Sequence, residues 1–238
     1  MAGGNFTFQQ FTIHQERCAM KVGTDGVLLG AWAQGGRRIL DIGTGTGLIA
    51  LMMAQRYPEA QVTAIDIDGQ ACCQARDNVA DSPFARRVQV VHSTLQQFAS
   101  GEDACGAGAY DSIVSNPPYF VDSLKNPDSR RAMARHTDTL PVAQLMSGAR
   151  TLLAPGGTFS IIVPTDGAGR FVAEASLNGL LLARRCDVCT TPRKAPRRTL
   201  LAFANGPHSA LDTQRVVLQE LDGTRSAWYA GLTEGFYL

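Results

Sequence analysis

The run Ile39-Leu40-Asp41-Ile42-Gly43-Thr44-Gly45-Thr46-Gly47-Leu48 constrains the fold of this chain more than any other. An apolar stretch meets a turn with glycine at alternate positions, and Leu48 to Arg56 then has the composition of a helix. Glycine lacks a Cβ, so such a turn can reverse tightly and let a ligand approach the backbone. The helix behind it brings N–H groups that have no partner within the helix. About twenty residues on, Val62-Thr63-Ala64-Ile65-Asp66 reads as a second strand ending in a carboxylate, the position that suits a ribose diol.

The alternation continues along the chain. Strands are expected at 38–42, 62–66, 87–91, 111–115 and 158–163, with helices at 48–56, 69–80, 141–153 and 168–179. Residues 181–189 and 199–205 read as paired edge strands, followed by a strand at 216–221 and a helix at 226–233. Thr24-Asp25-Gly26 is expected to cap a short helix over 27–33. Alternating strands and helices imply an α/β fold: a Rossmann-like, seven-stranded, mostly parallel sheet with helices on both faces. Ligands then bind at the carboxyl ends of the strands. A chain of 238 residues suits one domain, with an arm at 1–34, the core at 35–205 and an extension at 206–238.

The turn lacks the closing Gly or Ala of the dinucleotide fingerprint and carries an aspartate at its head. A carboxylate repels a phosphate but attracts an ammonium or sulfonium. The turn therefore suits S-adenosylmethionine better than a dinucleotide. A second motif, Asn116-Pro117-Pro118-Tyr119, follows the apolar run Ser112 to Ser115 and so ends another strand. The Asn116 side-chain carbonyl and the Pro117 backbone carbonyl are two acceptors. Proline brings no competing N–H and stiffens the loop, and Tyr119 can stack on a planar ring. Such a mouth suits a flat, conjugated amine held still for methylation. On its own, the tetrapeptide is equally well a strand-to-loop turn.

Together the two motifs resemble the class I, Rossmann-like, S-adenosylmethionine-dependent methyltransferases over residues 20 to 205. Phe8-x-x-Phe11-x-Ile13 and Cys18 to Trp32 are similar to the bacterial tRNA (adenine-N6)-methyltransferases that act next to the anticodon of valine tRNA. That resemblance implies that Lys21, Thr24, Asp25 and Gly26 lie against the cofactor. It implies that Asp41, Gly43, Gly45 and Gly47 cradle its amino-acid end and that Asp66 and Ile67 hold its ribose side. It also implies that Asn116, Pro117, Pro118 and Tyr119 hold the target adenine. Related enzymes often carry an acid after the third strand, at the cofactor's adenine. Here Thr94 and Leu95 occupy that place, and a hydroxyl carries no charge.

Charge is unevenly spread about a net of +1. Residues 184–198 carry Arg184, Arg185, Arg193, Lys194, Arg197 and Arg198 against Asp187, and 125–135 carry Lys125, Arg130, Arg131 and Arg135 against Asp128. These segments, net +5 and +3, leave a body of −7. Two basic segments on an acidic body suit a polyanion such as tRNA, although charge runs are also ordinary solvated faces. The six cysteines are too sparse for a disulfide scaffold and suit reduced, cytoplasmic surroundings. Cys186-x-x-Cys189 has metal spacing but no second pair, so no metal is expected. No secretory signal, membrane span or obligate protein partner is expected.

Asn-Pro-Pro-Tyr does not by itself specify adenine, since a protein glutamine amide is also a planar conjugated nitrogen. Enzymes with that substrate carry an extra N-terminal helical domain, whereas only 40 residues precede Asp41 here. DNA adenine enzymes usually need a separate recognition region, and no long insertion is evident. A module that binds cofactor or RNA without turnover is a third reading, because fold alone does not prove activity.

Overall fold

The computed structural model describes residues 4–18, 21–101, 107–118, 140–208 and 210–238. The arm forms a two-stranded antiparallel hairpin, β1 (Phe6–Thr7) and β2 (Thr12–Ile13), followed by helix α1 (Thr24–Trp32). The core begins with β3 (Arg38–Ile42), α2 (Leu48–Arg56), β4 (Gln61–Asp66), α3 (Gly69–Ala80) and β5 (Val88–His92). It continues with α4 (Leu95–Ser100), β6 (Tyr110–Ser115), α5 (Val142–Leu152), β7 (Leu153–Pro164) and α6 (Ala168–Leu177). Strands β8 (Leu181–Cys189), β9 (Arg198–Ala204) and β10 (Asp212–Val217) and helix α7 (Ala227–Thr233) complete the described elements.

The main sheet has the order β10-β8-β9-β7-β6-β3-β4-β5. Strands β5, β4, β3, β6 and β7 run parallel, and β9 lies antiparallel to both β7 and β8. Strand alternation divides the core in two. Ile39, Val114, Ile162, Leu200 and Ala202 face a cluster with α1, α2 and the arm aromatics. Leu40, Ile113, Ile161, Leu201 and Phe203 face a second cluster with α4, α5 and α6. Adjacent positions on one strand serve opposite faces, as the two-residue side-chain period requires.

Three local expectations change. The sheet has eight strands, because residues 212–217 pair in parallel with β8. Strands β8 and β9 are therefore interior, and β10 is the edge. Its first residues, Asp212 to Arg215, are exposed and polar, so only Val216 and Val217 signal a strand. Helix α1 starts at Thr24 with Gly23 at its N-cap, so Thr24, Asp25 and Gly26 form its first turn, not its cap. Helix α4 had no apolar periodicity to announce it. Its start is a capping box: the Thr94 hydroxyl accepts the Gln97 N–H at 3.1 Å, and the Gln97 side chain reaches back to the Thr94 N–H. Among the described residues, no helix is long and apolar enough to cross a membrane.

Candidate active site

Four strand ends meet at one rim. Ile42 of β3 stands level with Ile65 of β4 and Ser115 of β6, and Asp66 stands level with His92 of β5. The Ser115 hydroxyl donates to the Ile42 carbonyl at 2.8 Å, and the N–H groups of Gly43 and Thr44 both donate to the Ile65 carbonyl. The chain leaving β6 is thereby held beside the glycine turn. A cavity of about 350 Å³ opens here. It is lined from β3 and its turn by Ile42, Gly43 and Gly45, and from β4 by Ile65 to Asp68. Ser93 to Gln96 contribute from the start of α4, Ser115 to Pro118 from β6, Leu140 and Gln144 from α5 and its approach, and Cys18 from the arm.

Gly43 and Gly45 adopt φ of 72° and 56°, the left-handed region that side chains rarely tolerate. A Cβ on either would meet no protein atom within 4 Å, so these backbones face open space. Behind them Asp41 is fully buried; its Oδ2 accepts the Thr44 hydroxyl at 2.6 Å, and its Oδ1 lacks a well-formed hydrogen bond. Burial pushes its carboxyl up to about 7, while the Thr44 hydroxyl and the backbone of Ala50 pull less strongly the other way. A fully buried acid beneath the glycine cradle, though not itself lining the cavity, suits the ammonium at the amino-acid end of S-adenosylmethionine. Asp66 braces the same turn: its Oδ2 accepts the Gly45 N–H at 2.8 Å and its Oδ1 the Asp68 N–H at 2.9 Å. A carboxylate oxygen has lone pairs beyond those bonds, so a ribose diol can still be received.

Of the residues read from the sequence, Gly43, Gly45, Asp66, Ile67, Thr94, Leu95, Asn116, Pro117 and Pro118 come together around this cavity. Several others do not. Gly47 faces α3 and not the cavity: a Cβ there would make ordinary contact with Ala75 at 3.4 Å, and it is its φ of 83° that favours glycine. Gly26 packs α1 on α2, where an added Cβ would lie 3.0 Å from a Leu48 methyl. Asp25 is held by Arg198 at 2.7 Å, while Lys21 and Thr24 are exposed and away from the lining. The Thr94 hydroxyl is engaged twice with Gln97, as the α4 cap and as a donor to Oε1 at 3.0 Å. Lining residues that the sequence reading does not assign to the site include Cys18, whose thiol burial pushes up to about 11, and the Gln96 and Gln144 amides, which bond to each other across α4 and α5. Tyr119, Lys125, Arg130, Arg131 and Arg135 lie outside the described residues.

The second basic segment reaches the same rim. Strand β8 runs with β7 and β9 against both, so residues 190–197 connect β8 to β9 at the end where β7 finishes. The Thr165 N–H, just past β7, donates to the Arg197 carbonyl at 3.2 Å. Arg193, Lys194 and Arg197 are exposed there. Arg184 and Arg185 are committed elsewhere: Arg184 lies 4.2 Å over the Trp32 ring and near Asp212, and Arg185 pairs with Asp187 at 3.1 Å. Cys186 and Cys189 are both buried in β8, three positions apart and hence on opposite faces. Among the described residues, no group of three His, Cys, Asp or Glu side chains could hold a metal ion.

A family model described as methyltransferase small domain matches residues 22–178. The tRNA1(Val) (adenine(37)-N6)-methyltransferase of Bacteroides thetaiotaomicron is 46% identical, covering 100% of this chain and 99% of its own. That of Phocaeicola vulgatus is 48% identical over 98% and 97%, and that of Tolumonas auensis 42% over 100% and 98%. Among solved structures, a predicted O-methyltransferase from Agrobacterium tumefaciens superposes with a TM-score of 0.69 at 18% identity, covering 89% of this chain and 96% of that one. At that identity the likeness shows the fold.

Proposed function

The chain belongs to the methyltransferase small-domain family and, within it, to the tRNA1(Val) (adenine(37)-N6)-methyltransferases; from that premise we propose that it methylates the exocyclic N6 amine of an adenine in tRNA, position 37 of a valine tRNA being the site in its relatives' name. The observation that carries this reading is the meeting, in one cavity, of Asn116 to Pro118 with the glycine turn and Asp66. S-adenosylmethionine is the cofactor, and when bound it supplies an electrophilic methyl group on a sulfonium.

The adenine amine is a poor nucleophile because its lone pair is delocalised into the ring. Asn116 Oδ1 and the Pro117 carbonyl are the two acceptors assigned to its N–H groups. Engaging both favours a pyramidal nitrogen whose lone pair points out of the ring plane, toward the cofactor side of the cavity. Positioning is then the main catalytic contribution of the chain. Positive charge develops on the nitrogen during transfer, and the two carbonyl dipoles stabilise it. No strong base is needed, since the proton can leave afterwards. Tyr119 is assigned to stack on the extruded base. Asp66 is assigned to the cofactor ribose and Asp41 to the charge of its amino-acid end.

Arg193, Lys194 and Arg197 are proposed as phosphate contacts, supported by their exposure on the rim that carries Asn116. Lys125, Arg130, Arg131 and Arg135 complete the proposed RNA surface. A tRNA substrate implies a cytoplasmic enzyme. The test is methyl transfer from labelled S-adenosylmethionine to unmodified bulk tRNA, followed by digestion and nucleoside mass spectrometry. N6-methyladenosine from a valine tRNA is the expected product. Label on a protein fraction instead, with none on tRNA, would replace the substrate by a glutamine amide.

A further inference from the structure

Asn78 sits on α3, fully buried and outside the cavity, yet it touches two of the cavity's supports. Its Nδ2 donates to the Thr46 carbonyl within the glycine turn at 2.9 Å and to the His14 carbonyl of the arm at 2.8 Å. Its Oδ1 accepts the His14 N–H at 2.9 Å. The partners fix the orientation of the amide, because two carbonyls require donors and one N–H requires an acceptor. One helical turn earlier on the same face, the buried Gln74 side chain accepts the Arg17 N–H at 3.2 Å. The segment 14–17 is thus laid along α3 immediately before Cys18, which lines the cavity. The arm is also closed on itself: Gln15 donates to the Gly4 carbonyl and accepts the Val22 N–H, both at 2.7 Å. The other end of α3 starts beside the Asp66 loop, where Asp68 caps it by accepting the Gln70 N–H at 2.8 Å.

We propose that Asn78 is a positioning residue for cofactor binding, which holds the arm and the glycine turn in register so that these two walls of the cavity form and loosen as one. The inference rests on the reading of the cavity as the S-adenosylmethionine site. Among the described residues no backbone hydrogen bond and no strand ladder joins the arm at 14–18 to the turn at 43–47, so the Asn78 amide supplies a link that the backbone does not. A buried amide with both donors and its acceptor engaged is costly to disturb, since each abandoned group would be unsatisfied away from water. The geometry therefore couples the arm that leads to Cys18 with the turn that carries Gly45.

The experiment uses the full chain and S-adenosylhomocysteine as probe. Wild-type binding by calorimetry comes first; if none is seen, the cofactor reading fails and this inference falls with it, whereas wild-type binding that Asn78 variants leave unchanged overturns this inference alone. Asn78→Asp keeps the shape and the acceptor but turns a carboxylate toward two carbonyl oxygens. We expect its dissociation constant and its KM for S-adenosylmethionine to rise roughly tenfold or more, while kcat at saturating cofactor stays within about threefold. Hydrogen exchange should quicken together at 14–18 and 43–47. A lowered melting temperature with unchanged probe affinity, and exchange that quickens everywhere alike, would reduce Asn78 to an ordinary core residue. Gln74→Ala guards against a failure of the first variant to fold. It frees the arm alone, so exchange should quicken at 14–18 but not at 43–47, with probe affinity weakened about threefold. Unchanged affinity in that variant also overturns the proposal.

Discussion

The rim above β3 and β4 and the rim above β8 and β9 handle polar groups in opposite ways. On the first, polar side chains are bonded within the protein, Asp41 and Asn78 fully buried and Asp66 half-buried: Asp41 to Thr44, Asp66 to the Gly45 and Asp68 N–H groups, Asn78 to the turn and the arm. On the second, Arg193, Lys194 and Arg197 stand exposed on the connection between two strands. Burial strengthens each interaction and fixes its geometry, which a small charged ligand needs. Exposure leaves charges weak singly but able to act over a Debye length, which a large polyanion needs. Variants on the first rim should therefore change chemistry or cofactor affinity at any salt. Variants on the second should change RNA affinity in a salt-dependent way.

The largest effect belongs to Asn116. Asn116→Ala removes one of the two acceptors assigned to the amine, and kcat should fall roughly 100- to 1,000-fold. The cofactor half of the cavity is untouched, so S-adenosylhomocysteine affinity should hold within about twofold. Near-normal turnover would end the two-acceptor mechanism and merge the substrate wall with an ordinary loop.

Asp41 gives a pH signature next in size. Its folded pKa, about 7, lies above the ordinary carboxylate value of 3.8, so the empty protein holds the proton that the unfolded chain releases. This group's contribution to stability is complete below the unfolded pKa and is lost as pH rises through about 7. An ammonium group of the ligand placed near Asp41 reverses the preference, because it favours the ionised acid. Probe affinity should weaken as pH falls below about 7, by up to tenfold per unit, and level off above it. Asp41→Asn should bind roughly tenfold more weakly than wild type in the alkaline range and lose most of this pH dependence. Its melting temperature should gain on wild type as pH rises. An unaltered profile in Asp41→Asn would mean that another group titrates.

The basic connection should yield a smaller effect. Arg193→Glu with Lys194→Glu should raise KM for tRNA about five- to tenfold near 0.1 M salt, with kcat little changed. The slope of log affinity against log salt should become shallower by one to two phosphate contacts' worth. An effect of the same size at high salt would point to specific short-range bonds and erase the contrast between the rims.

What could be read from the chain follows the same contrast of range. Gly43, Gly45, Asp66 and Asn116 were legible because each lies directly at a strand end, where position in the fold follows from position in the sequence. Strands β3 to β7 were legible from their apolar runs. Strand β10 was not, since an exposed edge strand has no apolar face to display until its last residues. Gly26 and Gly47 were visible as glycines, but glycine serves close packing, a left-handed backbone and ligand approach equally, and only the Leu48 methyl beside Gly26 and the φ of 83° at Gly47 tell these uses apart. Asn78 and Gln74 carried no signal at all, and Cys18 only as the first residue of the Cys18 to Trp32 stretch. Their part arises from contacts between segments distant in sequence, which no local spacing encodes.

The smallest predicted effect tests a residue of the basic segment that is bonded within the protein. Arg198 opens β9 and was expected to meet RNA, yet its Nε donates to Asp25 Oδ2 at 2.7 Å and its Nη1 donates to the Arg197 carbonyl at 3.1 Å. The guanidinium thus ties the first turn of α1 to the base of the basic connection. Both side chains are partly exposed, 37% and 24%, so water and salt screen the pair and its worth is about 1 kcal/mol at most. Arg198→Ala should lower the melting temperature by only a few degrees and raise KM for tRNA no more than about twofold. Asp25→Ala should have the same thermal effect, and the double variant should lose no more than either single one, as groups acting through one contact do. If Arg198→Ala instead matches the loss in the Arg193 and Lys194 double variant, with additive effects from Asp25→Ala, then Arg198 is a phosphate contact after all. The division between a bonded rim and an exposed one would then run through β9 itself.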